Sequence, residues 1–207
     1  MHTRITRWLL LAALVLPATL LHAARPTAPD VSGPASLAGQ LLIASPDLRQ
    51  PEFEHAVILV AKHTREGAFG IVINRPGTTH AIVDMLEAFG ADTAGVEGEI
   101  AVFNGGPVDP GVGFVLHSAE YQIADTLDID GRVALTVAPD VLRDIGLGKG
   151  PRKSLAALGY AGWAAAQLED ELARGVWTTM PEDPALVFDY DRAGLWDDAR
   201  ARQKTGR

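Results

Sequence analysis

Two apolar runs joined by a polar turn constrain this chain more than any other feature. Residues 54–62 (EHAVILVAK) are almost continuously apolar, and residues 68–73 (AFGIVI) return as a β-branched run. An apolar run without polar alternation suits a strand covered on both faces. Residues 63–67 (HTREG) between them are turn-forming, so the runs read as a hairpin. Whatever else the chain does, it has to cover that hairpin from two sides.

The remaining sequence supplies short strands and single helices. Residues 40–44 (QLLIA), 99–103, 112–117 (VGFVLH), 132–137 (RVALTV) and 177–180 read as strands, and residues 186–188 as a closing one. Residues 154–158 fit a strand or a helix on periodicity alone. Thr79 is placed to cap a helix over residues 80–89, with Ile82, Val83, Leu86 and Phe89 on one face and Gly90 at its end. Residues 140–145 read as a short helix, 162–174 (GWAAAQLEDELAR) as the clearest helix, and 191–204 as a terminal one. Hairpins mixed with single helices predict an α+β fold: a single domain with a mixed, largely antiparallel sheet flanked by helices. With 207 residues, 47% of them hydrophobic, the chain is large enough for one proper core.

The N-terminus follows another rule. Arg4 and Arg7 precede an apolar stretch, residues 8–21, that is broken by Pro17. It falls short of the ~20 residues of a membrane span. It matches a secretory signal over residues 1–23, with cleavage expected after Ala23. Residues 24–38 (ARPTAPDVSGPASLA) read as an extended linker and residues 39–207 as the domain. Cleavage would make the domain periplasmic or secreted, with no stable membrane span, and the alternative is cytoplasmic. Removing Arg4 and Arg7 would move the formal net charge from −8 to −10. No nucleic acid partner is expected of an acidic chain without a Lys/Arg cluster. The chain has no cysteine, which excludes disulfides, thiolate metal sites and cysteine nucleophiles.

Familiar catalytic patterns are missing. There is no G-x-S-x-G and no H-E-x-x-H, and residues 146–154 (GLGKGPRKS) lack the spacing of a phosphate loop. No metal set and no cofactor is expected. His55 and His63 would share a strand face about 26 Å apart, too far for one metal. Glu169, Asp170 and Glu171 read as a solvated helix face. Two strand-end turns offer more chemistry. Asn74-Arg75-Pro76 presents a planar guanidinium suited to carboxylate or phosphate. Asn104-Gly105-Gly106-Pro107 can expose backbone N–H groups, as anion-binding nests do. If those strands are neighbours, Asn74, Arg75, Asn104, Gly105 and Gly106 line one edge, with His117 at the end of the next strand. Glycine and asparagine are also simply what turns need, so a structural reading stands beside the binding one.

Six blocks occur in order: GQLLIASPDL (39–48), GAFGIVINRP (67–76), NGGPV (104–108), GFVLH (113–117), LGYAGW (158–163) and QLEDEL (167–172). Together they resemble the AlgH/YqgE family of small, mostly uncharacterised bacterial proteins, over about residues 39–190. The resemblance implies an α+β fold with a mixed sheet. It also implies that Asn74-Arg75-Pro76, Gly105-Gly106-Pro107, His117 and Tyr160 to Trp163 belong to the family pattern. It brings no substrate, cofactor or catalytic residue. Two positions depart from the pattern. Ala166 stands where Gly is expected before Gln-Leu-Glu, and Gly175 where Asn commonly precedes the small residue and Trp177. Typical members also lack an export signal. The chain is therefore expected to be a non-enzymatic binding or regulatory module, taking a small anion or a protein partner at the Arg75 and Gly105–Gly106 turns. A hydrolase of a small anionic substrate, with His117 as proton carrier, is the alternative. A transcriptional regulator follows from the family name alone, without a basic helix-turn-helix to support it.

Overall fold

A computed structural model describes residues 36–205, Ala138 and Tyr190 excepted. The expected signal (1–23) and most of the expected linker (24–38) lie outside the described residues. β1 (Gln40–Ala44), β2 (Val57–Thr64) and β3 (Gly67–Val72) pair antiparallel, so the hairpin forms. Val57 to Ala61 are each at most 2% exposed, which is the two-sided cover their sequence demands. The strand is shifted from the expected span. Residues 54–56 precede it, with His55 in a left-handed turn at φ 56°, and His63 lies within it. The two histidines therefore share no strand face.

β4 (Pro76–Ala81) and α1 (Ile82–Ala88) replace the helix expected over residues 80–89. Thr79 is not a cap. It pairs with Ala101 where β4 meets β5 (Glu99–Asn104), and the cap position falls on Ala81 without a side-chain bond. Pro76 opens an outlying strand, where a missing N–H does no harm. Gly90 follows the helix at φ 68°, as expected.

β6 (Val108–Ser118), β7 (Leu127–Asp128), β8 (Val133–Val137) and α2 (Asp140–Gly146) lead to β9 (Ser154–Ala164), the spine of the domain. The first half of β9 runs parallel to β5 and antiparallel to β6, and its second half pairs antiparallel with β3. Residues 162–164 thus belong to the sheet, and the helix expected over 162–174 shrinks to α3 (Gln167–Ala173). Helix propensity in the alanine run loses to the cross-strand pairs Ala68–Trp163 and Gly67–Ala164. β10 (Trp177–Pro181) pairs with β1, giving the strand order β10-β1-β2-β3-β9-β6-β8-β7. Residues 186–188 are helical rather than a strand. α4 (Pro184–Phe188) starts at Asp183, whose carboxylate accepts from the Ala185 N–H. α5 (Leu195–Thr205) closes the domain.

The result is the expected α+β domain, with β5–β9 as the parallel pair in an otherwise antiparallel sheet. Alternate residues of the central strands face different cores. Leu155, Ala157, Phe114 and Leu116 join the large core with β1 and β2, whereas Ala156 and Val115 face a second core with Ile82, Leu86, Val141 and Leu142. Among the described residues, no helix is long and apolar enough to cross a membrane.

Candidate functional site

Five of the six expected residues meet at one junction. The Asn104 N–H donates to the Arg75 carbonyl at 2.9 Å, which sets the 74–76 turn against the 104–107 turn. The side chains there already serve the chain itself. Asn74 donates from Nδ2 to the His55 carbonyl (2.8 Å) and accepts at Oδ1 from the Val57 N–H (2.9 Å). Arg75 donates from Nη2 to the Glu54 carbonyl (2.8 Å) and from Nη1 to the Pro51 carbonyl (3.2 Å). The guanidinium clamps the 51–54 turn. Beside it lies a small cleft of about 340 Å³ between Pro51, Glu54, His55, Asn74 and Arg75.

Gly105 and Gly106 do not present an open nest. The Gly105 N–H donates to the Leu158 carbonyl (2.8 Å) and the Gly106 N–H to Asn104 Oδ1 (3.2 Å), and both glycines are buried. A Cβ on Gly105 would lie 2.3 Å from the Gly159 carbonyl oxygen, and one on Gly106 would lie 2.2 Å from the Tyr160 carbonyl carbon. These glycines let two backbones cross.

His117 does not meet Arg75. It pairs with Ser154 of β9, whereas Asn104 pairs with Leu158, four residues and about 13 Å along the strand. It is fully buried, with Tyr121 edge-on at 5.3 Å. Nδ1 lies 3.1 Å from the Ser118 carbonyl and must donate to it. Nε2 then accepts from Thr136 Oγ1 at 2.8 Å, and Thr136 Oγ1 lies 2.9 Å from Thr126 Oγ1. Burial lowers the His117 pKa, which matches this neutral tautomer. It is a hydrogen-bonded core histidine.

Room for a ligand lies elsewhere, on one face of the sheet. Lys62, Phe69 and Gly162 form a row across β2, β3 and β9, and directly opposed residues share a face. Phe69, Phe114 and Tyr160 pack together. Tyr160 is edge-on to each phenylalanine at 5.9 Å, and the two phenylalanines are 6.5 Å apart. With Val108 and Trp163 they line an open groove of about 670 Å³, rimmed by Lys62, Thr64 and Glu66. Gly162, at the β9 end of the row, puts no side chain into the groove, and a Cβ there would approach Tyr160 Cε2 at 3.2 Å. The Tyr160 hydroxyl donates to Asp109 Oδ2 at 3.3 Å. Sequence reasoning missed this groove because residues 162–164 read as helix. The alternation Tyr160-x-Gly162 opposite Phe69 was the available signal. Among the described residues, no group of three or more His, Asp or Glu could hold a metal ion.

Residues 41–206 match the family described as AlgH-like. The chain belongs to the AlgH-like family. A UPF0301 protein of Beijerinckia indica is 45% identical over 180 residues, 83% of this chain and 87% of that one. One from Rhodospirillum rubrum is 46% identical over 153 residues, 74% of this chain and 80% of that one. The solution structure of the AlgH protein from Pseudomonas aeruginosa is 40% identical, with a TM-score of 0.70 over 83% of this chain and 91% of that one. A Corynebacterium diphtheriae crystal structure, 21% identical, shares the fold with a TM-score of 0.61 over 83% of this chain and 88% of that one.

The two positions expected to depart from the AlgH-like pattern both fall on left-handed backbone. Ala166 has φ 63° and Gly175 φ 70°. Glycine and asparagine both tolerate that region, so Gly175 is a mild change, whereas Ala166 carries its Cβ into it. The acids of the AlgH-like 167–172 block are not a solvated face either. Glu171 Oε2 accepts from the indoles of Trp163 (2.9 Å) and Trp177 (2.7 Å), and Oε1 accepts from Gln167 Nε2 (2.9 Å). Burial would raise this carboxyl's pKa, but the three donors outweigh it and hold the group below its ordinary range. Glu169 Oε1 accepts from His63 Nε2 at 2.9 Å, while His63 Nδ1 accepts from the Leu37 N–H at 3.1 Å. Asp170 alone of the three is exposed.

Proposed function

We propose that this AlgH-like protein is a binding module whose ligand lies in the groove over Phe69, Phe114 and Tyr160. One observation carries the reading: an apolar concavity of about 670 Å³, lined by aromatic rings and rimmed by few polar groups. Small-molecule sites have that size and that lining. The turns at Asn74-Arg75 and Gly105-Gly106 support it less, because their donors are engaged with the chain's own carbonyls and with Asn104. Any regulatory role would then act through occupancy of the groove.

Filling the groove tests this. Gly162 has no positive φ, so the strand backbone accepts a β-branched residue there. Gly162→Val is expected to weaken binding of the neutral apolar dye Nile red by about tenfold, as loss of roughly 1.4 kcal/mol implies, with a small fall in Tm from the shift of the Tyr160 ring. Undiminished affinity in a folded variant would refute the groove as the site. The sequence pattern of residues 1–23 supports export of the domain. A periplasmic species whose intact mass starts at Ala24 is expected, and a full-length cytoplasmic species would overturn it.

A further inference from the structure

We propose that the groove's ligand is an amphipathic anion, an aromatic or aliphatic body carrying one anionic group that pairs with Lys62. This rests on the binding reading above and adds the ligand's chemistry. Lys62 is exposed at the rim and makes no ion pair within 4.0 Å with any described residue. Its stem stands beside Phe69 in the same cross-strand row, so its charge is held next to apolar floor.

Local charge points the same way. The chain as a whole is acidic, at −8, yet the hairpin tip beside the groove carries Lys62 and Arg65 against Glu66 alone. Asp109 keeps its charge but lies on the β9 side of the groove, at the Tyr160 hydroxyl, so the cationic end of the groove is the one at Lys62, beside the apolar surface. A cationic ligand fits less well. Aromatic sites for cations surround the charge with ring faces, whereas these three rings pack directly on one another at 5.9–6.5 Å. Lys62 would also repel it. Lys62 and Gly162, which adds no side chain to the row, lie two strands apart, about 9.6 Å at the usual strand spacing. A ligand with its charge about one ring length from its body spans that gap.

Two fluorescent dyes on the full chain separate the charge from the groove. Anilinonaphthalene sulfonate is aromatic and anionic, and Nile red is neutral. Lys62→Gln is expected to weaken the sulfonate dye about three- to fivefold, as for an exposed ion pair, and to leave Nile red unchanged. Raising the salt concentration is expected to weaken the sulfonate dye on the parent chain and hardly at all on Lys62→Gln. Gly162→Val is expected to weaken both dyes. Sulfonate binding unaffected by Lys62→Gln, while Gly162→Val still lowers Nile red binding, overturns the anion and leaves the binding module standing. Failure of both dyes to bind the parent chain, or equal binding of both to Gly162→Val, overturns the two together.

Discussion

At position 166 a residue with a Cβ sits at φ 63° in the turn before α3. The left-handed region costs such a residue roughly 1–2 kcal/mol, and glycine's greater freedom in the unfolded chain offsets roughly 0.5–1 kcal/mol of that. Ala166→Gly is therefore expected to stabilise the protein by about 0.5–1 kcal/mol. Urea unfolding would register it as a higher midpoint at unchanged slope, and a midpoint equal to or below the parent's would mean the turn is not strained. This position was legible in the sequence, because the resemblance leads us to expect glycine there. Glu171 was not. An acid in a helical pattern reads as solvent-facing until Trp163 and Trp177, from two separate strands, are known to converge on it. Arg75 was legible as a planar donor, but its acceptors are the Pro51 and Glu54 carbonyls of a turn that the sequence did not signal, residue 54 reading as the start of a strand.

Among the elements, those with one dominant signal were readable: β1, the β2–β3 hairpin, α2 and β10. The misread ones had a strong local signal that pairing overruled. Thr79 has cap chemistry but pairs with Ala101, and the alanine run after Trp163 has helix propensity but ends a strand. The groove was lost with that strand end. The crossing of the Gly105–Gly106 turn over β9 was visible only as glycines, and their role there is steric. Gly105 has no positive φ, so replacing it tests space alone. A Cβ there would press on the Gly159 carbonyl oxygen at 2.3 Å, while one on Gly111 would meet nothing within 4 Å. Gly105→Ala is expected to destabilise by about 1–3 kcal/mol, the usual range for overpacking, with Gly111→Ala near neutral as its control. Equal Tm values for the two variants would contradict the crossing.

On the scale of the whole molecule, stability should depend on pH through a group that does not line the groove. The Glu182 side chain is fully buried where β10 ends, and the residue's backbone N–H donates to the Gly39 carbonyl at 3.0 Å. Arg132 Nη2 lies 2.7 Å from Oε1, out of line for a hydrogen bond. Burial, then the neighbouring Asp130, push the carboxyl up to about 8, with Asp183 adding and Arg132 opposing. The folded form thus holds a proton that the unfolded chain releases near an ordinary carboxyl pKa of about 4.3. Its contribution is complete below that value and is lost as pH rises through about 8. Glu182→Gln stays neutral, so its Tm advantage over the parent is expected to widen from pH 6 to 9. Parallel curves would show that Glu182 does not titrate there. β9 bears on the order in which the chain is made. It joins β3, β5 and β6, yet the ribosome finishes β3 roughly 80 residues before it begins β9, about 4–16 s at ordinary synthesis rates. By the end of that interval the hairpin, β5 and β6 all exist with their central neighbour unwritten, exposing edges that invite wrong pairing. Those edges of the nascent chain stay without their native neighbour until Ser154–Ala164 emerges.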